Sequence, residues 1–201
     1  MRKLFIITVL LFSVNLILGA QTLRPVPHEM VQEGKKTLNV SKGVVLMDPK
    51  GVFSDACGFL KRRDKGLTLT VDFGASAAVQ SGVREISGAY RLSVTSKGIT
   101  VTGYDEEGAF MGLQTLRQLV VSSEDMRIPC CTINDWPDNT RRGFFDSFHG
   151  KSWTHPFRLS MVDLATRLKL NEYVYAPEND PYVAGEDWYM PYPQGSSDAL
   201  K

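Results

Sequence analysis

The stretch from Tyr90 to Val120 constrains the fold more than any other. Tyr90-Arg91-Leu92-Ser93-Val94 and Ile99-Thr100-Val101-Thr102 both alternate apolar and polar side chains, the period of a half-buried strand. Ser96-Lys97-Gly98 between them is a short glycine-containing loop, so the two strands form a hairpin. Asp105 then stands where a helix cap belongs, and Ala109, Leu113, Leu116 and Val120 recur on one helical face. A hairpin followed by such a helix dictates a sheet covered by that helix. Gly66 to Asp72 alternates in the same way, and Arg127 to Ile133 is a last strand before a turn at Asp135-Trp136-Pro137. Residues 21–140 are therefore expected to form a small α/β domain, an antiparallel sheet with helices on one side.

From Arg141 the pattern changes. Gly143 to Phe148 carries bulky residues on both faces, as a buried parallel strand does. Thr154 can cap a following helix, with Pro156 tolerated in its first turn. Phe157, Met161, Leu164, Ala165 and Leu168 make an apolar stripe, and Leu170 to Tyr175 is a second strand. Strand, helix and strand at this spacing make a βαβ unit with a right-handed crossover.

The first twenty residues read as an address. Arg2 and Lys3 precede an apolar run from Leu4 to Leu18, and Gly19-Ala20 supplies a small-residue cleavage site. That order is expected of a secretory signal peptide, with the mature chain secreted or periplasmic and free of the membrane. The formal net charge of +1 offers no basic surplus for a nucleic-acid backbone. Cys57, Cys130 and Cys131 are too few for a disulfide framework; buried free thiols are expected, with a bridge from Cys57 to one of the pair left open. Asn39-Val40-Ser41 matches the common glycosylation triplet. No His or Cys cluster has metal-ligand spacing, and no cofactor is implied.

Two runs of the second segment, Arg142-Gly143-Phe144-Phe145-Asp146-Ser147-Phe148-His149-Gly150-Lys151-Ser152-Trp153 and Tyr173-Val174-Tyr175-Ala176-Pro177-Glu178-Asn179-Asp180-Pro181-Tyr182, resemble glycoside hydrolase family 84. That family contains the bacterial β-N-acetylglucosaminidases related to O-GlcNAcase. Its pattern is Arg-Gly-x-x-Glu-Gly-Phe-Tyr-Gly-x-Pro-Trp, then Tyr-x-Tyr-Ala-Pro-Lys-Asp-Asp-Pro-Tyr; Tyr192-Pro193 fits its Pro-Tyr-Pro. Gly112 to Leu119 and Ile133 to Pro137 are similar to the accessory α/β domain that precedes the barrel of bacterial hexosaminidases. The resemblance implies a signal peptide over 1–20, that accessory domain over 21–140, and the start of a (β/α)8 catalytic barrel over 141–201. It implies a substrate carrying terminal β-linked N-acetylglucosamine, on a glycan or glycoprotein, hydrolysed by substrate-assisted retention.

Position by position the sequence departs from the family. Ser147 and His149 stand where the family has the Gly and Tyr of its sugar pocket, and Glu178 stands where it has a sugar-binding Lys. An ammonium donates three hydrogen bonds while a carboxylate only accepts. Ser147, His149 and Glu178 are thus the substrate-binding candidates by family position, with altered residue types, and Asp180 is a further substrate-facing candidate. The family's two adjacent catalytic aspartates lie further along its barrel, and this sequence contains no Asp-Asp pair, so no catalytic residue is assigned. Residues 141–201 are about a quarter of the roughly 250 residues of a closed barrel. The expectation is a truncated member of the family, inactive as it stands; the alternatives are one piece of a longer, active secreted enzyme with an altered pocket, or a non-catalytic carbohydrate-binding or adhesion module.

Overall fold

A computed structural model of the chain describes residues 23–146 and 153–175. It contains β1 (Glu29–Asn39), β2 (Val45–Met47), β3 (Thr68–Phe73), α1 (Ala75–Ser81), β4 (Tyr90–Thr95), β5 (Gly98–Gly103), α2 (Glu106–Val121) and β6 (Arg127–Asp135). After them come β7 (Gly143–Asp146), α3 (His155–Arg167) and β8 (Glu172–Tyr175). The first six strands form one sheet in the order β1-β6-β4-β5-β3-β2, and β7 and β8 form a separate parallel pair. The α/β class expected from the sequence stands, and the likeness to solved structures reported below supports it.

The hairpin is β4 and β5, with Leu92 opposite Val101 and Val94 opposite Ile99 across a Ser96-Lys97 turn. All four side chains are buried. Asp105 caps α2 by accepting from the Gly108 backbone N–H at 2.8 Å. Ala109, Leu113, Leu116 and Val120 all face the core. The helix lies close to the hairpin because Gly108 and Gly112 carry no side chain. A Cβ on Gly112 would stand 2.6 Å from Val101 Cγ1, and one on Gly108 would stand 2.1 Å from the Ala89 carbonyl oxygen.

Two features differ from the expected sheet. It is mixed, because β3 pairs β5 in parallel and β2 pairs β3 in parallel, whereas β1, β6, β4 and β5 run antiparallel. The chain leaves β3 through α1 and places β4 before β5, so β5 arrives beside β3 in the same direction. Nor do both helices share one face. α2 covers the side of Leu92 and Val101, whereas α1 touches the side of Arg91 and Thr102. There Arg91 Nη1 donates to the Ser81 carbonyl at 3.2 Å, and Ser81 Oγ lies 3.3 Å from Thr102 Oγ1. Strands β1 and β2 and helix α1 have no counterpart in the sequence reading.

The cysteines are free and buried. Burial pushes the Cys57 thiol up to about 11 and the Cys131 thiol up to about 12, so both stay protonated and inert.

The βαβ pattern of the second segment is present, with β7 and β8 parallel from Gly143–Glu172 to Asp146–Tyr175. Gly143 is required there, since a Cβ would stand 2.3 Å from the Glu172 carbonyl oxygen. Its surfaces differ from expectation. Phe145 is 68% exposed, and of the α3 stripe only Ala165 is buried. Thr154 sits at the N-cap with Pro156 in the first turn, but its side chain makes no cap bond; its carbonyl accepts from Arg158 N instead.

Candidate functional site

In parallel α/β units ligands gather at the carboxyl ends of the strands. Here those ends are Asp146 and Tyr175. Asp146 is completely buried, and its Oδ2 accepts from Arg158 Nε and from the Tyr173 hydroxyl, both at 2.7 Å. The Arg158 guanidinium also lies over the Tyr175 ring, 4.6 Å from its centroid. Phe144 packs against Tyr173 with centroids 5.0 Å apart, and Trp153 meets Phe157 edge-on at 5.0 Å. Burial pushes the Arg158 guanidinium down most, but the Asp146 hydrogen bond together with the charges of Tyr175, Asp146 and Tyr173 outweighs it and holds Arg158 above its ordinary value. Burial, reinforced by the Asp146 carboxylate, holds the Tyr173 hydroxyl well above its usual range. Buried between them, the Asp146 carboxylate holds the Arg158 guanidinium and the Tyr173 hydroxyl at the strand ends. Asp146 Oδ1 has no hydrogen-bond partner among the described residues.

The four sequence candidates, Ser147, His149, Glu178 and Asp180, lie outside the described residues. Ser147 directly follows Asp146, and Glu178 comes three residues after Tyr175.

At the opposite end of the unit, before the amino ends of the parallel strands, is a buried polar joint that the sequence did not disclose. Lys169 Nζ donates to Asp135 Oδ2 and to the Tyr90 hydroxyl, both at 2.7 Å, and Tyr90 donates to Asp135 Oδ2 at 3.0 Å. Asp135 Oδ1 receives the His28 backbone N–H at 3.2 Å and faces its ring Nδ1 at 2.9 Å. Burial pushes the Asp135 carboxyl up, but Lys169 and His28 outweigh it, and the carboxyl lies below its ordinary value. Burial dominates at Lys169 and brings its ammonium below the usual lysine range despite Asp135.

Local geometry explains why a lysine reaches so far inward. α3 ends in a Schellman turn, with Leu170 N–H bonded to the Ala165 carbonyl at 2.9 Å and Lys169 N–H to Thr166 at 3.0 Å. Lys169 takes the left-handed position at φ 61° that glycine usually fills. That conformation costs a non-glycine residue about 1–2 kcal/mol, and the buried ion pair offsets it.

A second tie runs beside the first. Glu107 Oε1 accepts from Arg142 Nη2 and from Asn171 Nδ2, each at 2.9 Å, so the first turn of α2 grips both strands of the parallel pair. Gln118 Nε2 donates to the Arg167 carbonyl at 2.8 Å. The partners are separated by tens of residues and carry no local pattern, so only the folded chain shows them together.

Comparison with known proteins fits this division. Residues 20–136 match glycosyl hydrolase family 20, domain 2. The chain belongs to that family. Residues 142–201 match a second family, described as beta-N-acetylglucosaminidase. The N,N'-diacetylchitobiase of Vibrio harveyi is 29% identical over 163 residues, covering 75% of this chain and 18% of its own length. The beta-hexosaminidase of Vibrio vulnificus is 30% identical over 163 residues, covering 78% of this chain and 18% of its own. The family 20 chain described here thus spans under a fifth of the curated relatives it matches.

Among solved structures, CpGH84B superposes with a TM-score of 0.71 at 23% identity, covering 88% of this chain and 33% of its own. CpGH84D gives 0.74 at 18% identity, covering 88% and 34%. A family 20 β-N-acetylglucosaminidase gives 0.60 at 20% identity, covering 77% and 30%. These likenesses establish a shared fold. With the family match and the two relatives above, the chain is a hexosaminidase-like glycoside hydrolase sequence.

Proposed function

We propose that this chain supplies the accessory domain and the first βαβ unit of a secreted family 84 type β-N-acetylglucosaminidase. Its substrate class is a glycan or glycoprotein ending in β-linked N-acetylglucosamine. The observation that carries the reading is the extent of the structural likeness. CpGH84B and CpGH84D superpose over 88% of the chain, whereas the family 20 enzyme superposes over 77% with a lower TM-score. The motif segment from Arg142 to Tyr182 supports the same choice. In this reading β7 and β8 are the first two strands of the barrel, Asp146, Arg158 and Tyr173 brace their carboxyl ends, and Ser147, His149, Glu178 and Asp180 are the sugar-binding candidates by family position. The 201 residues hold no adjacent aspartates for acid–base work and acetamido orientation, so binding without turnover is expected of them.

The test combines an aryl β-N-acetylglucosaminide assay with saturation-transfer NMR on N-acetylglucosamine and glucose. The expected result is no hydrolysis, with saturation of the acetamido methyl that weakens in Tyr175→Ala and no comparable transfer to glucose. Hydrolysis blocked by a thiazoline-type transition-state mimic would overturn the inactivity. Equal transfer to both sugars, or none to either, would overturn the substrate class.

A further inference from the structure

The joint around Asp135 contains a group that the glycosidase reading leaves unused. His28 lies just before β1, its ring stacked on Trp136 with centroids 4.1 Å apart. Both of its ring nitrogens face carboxylate oxygens: Nδ1 is 2.9 Å from Asp135 Oδ1, and Nε2 is 3.1 Å from Asp138 Oδ1. A carboxylate can only accept, a neutral imidazole has one N–H, and an imidazolium has two. Two such contacts from one ring need two donors. The neutral ring would set a nitrogen lone pair against an anionic oxygen.

We propose that His28 is a proton-operated latch, which when protonated clamps the strand leading into β1 onto Asp135 and Asp138 and so tightens the seat into which Lys169 carries the β7–α3–β8 unit. Loss of the proton breaks one of the two ring bonds and leaves Asp135 with Lys169 as its cationic partner. The charged groups around the ring come from several elements. Asp135 ends β6, Asp138 follows it, and Lys169 arrives from the turn after α3. Arg84, before β4, lies over the same Trp136 ring at 3.6 Å, and Arg142 and Lys169 line the same cleft of about 180 Å³. Glu29, next in the chain, is engaged by Asn134. The cations oppose protonation, but the two carboxylates are the groups in direct contact.

The direction of the His28 titration agrees with this geometry. The Asp135 hydrogen bond raises it most, burial opposes, and the Asp138 bond adds to the rise. A folded-state value raised above the unfolded one gives stability fully present below the ordinary histidine range. That stability is lost as pH rises through the folded value.

The decisive experiment is ring-nitrogen NMR of histidine-labelled chain across a pH titration, with His28→Gln to assign the resonance and Asp138→Asn as the perturbing variant. Asp138 is 77% exposed, so its amide replacement spares the fold. The expected results are two protonated ring nitrogens below the titration midpoint and a midpoint above the ordinary histidine value of about 6.5. In Asp138→Asn the midpoint shifts downward. The melting temperature of the wild-type chain falls through the same midpoint on going alkaline, and His28→Gln loses that slope. A His28 midpoint at or below about 6.5, or one that Asp138→Asn leaves unmoved, would overturn the latch. Should His28→Gln misfold, His149→Gln and His155→Gln assign the His28 resonance by elimination, and both midpoint readouts stand.

Discussion

The six-stranded domain and the β7–α3–β8 unit carry equally clear apolar patterns, yet they end in different states. In the first, Leu69, Val71, Leu92, Val94, Val101 and Leu113 have no measurable exposure. Every buried member of that core lies between Leu23 and Ile133. In the second, Phe145, Phe157, Leu159 and Leu164 stay exposed, and among the described residues the buried side chains are Asp146, Ala165 and Lys169. The first region is held by its own hydrophobic core. The second is held to it by polar ties, Lys169 to Asp135 and Arg142 and Asn171 to Glu107. The lesson is that a sequence pattern specifies which side of an element wants covering, and only its neighbours decide whether it is covered.

The sharpest way to break this contrast is to cut the polar tie. Lys169→Ala leaves Asp135 buried with its lysine gone and Tyr90 without that donor, which should cost about 3–5 kcal/mol in urea unfolding. In an Asp135→Asn background the same replacement should cost clearly less, and equal losses would mean that the pair does not couple. Acid titration gives a second view of the tie. The folded Asp135 carboxyl lies below its ordinary value, so its stabilisation is present above the usual carboxylate range. It is lost as pH falls through the lowered folded value. Asp135→Asn should lack that part of the acid limb.

Core truncations sharpen the contrast next. Leu113→Ala should cost about 2–5 kcal/mol, since the side chain is fully enclosed under the hairpin. Leu164→Ala, on the exposed stripe of α3, should change stability by no more than about 0.5 kcal/mol. Similar losses at both positions would show that α3 is covered after all. Asp105→Ala removes the α2 cap and should cost about 1 kcal/mol by the same measurement.

The sequence was legible where the physics is local. The hairpin, the Asp105 cap and the buried face of α2 follow from spacing alone, and so do the parallel strands on either side of α3. Strands β1 and β2 were not legible. β1 runs Glu29 to Asn39 with mostly polar side chains and a register break between Gln32 and Thr37, so no period of two survives. β2 is only three residues long and takes its conformation from β3. The mixed sheet could not be read because direction is set by what lies between strands, and α1 went unseen. At the strand ends the motif pointed to Ser147, His149 and Glu178. Asp146 was weighed only as a catalytic aspartate and set aside, and its bracing role could not be read because its partners Arg158 and Tyr173 are 12 and 27 residues away. His28 and Asp135, 107 residues apart, have no signal at all in the linear chain.

The central claim is that, among the described residues, the six-stranded domain owns its core and the β7–α3–β8 unit does not. The measurement that tests it most directly compares residues 21–140 with residues 21–201 by thermal unfolding and elution volume. Cutting the chain there exposes Asp135 to water, so the carboxylate regains hydration as it loses Lys169, unlike the buried orphan of the point variant. The account predicts a monomeric 21–140 fragment with one cooperative transition. It also predicts a longer chain that self-associates through the apolar surface around Phe145 and Phe157. An unfolded 21–140 fragment beside a monomeric, singly cooperative longer chain would contradict it.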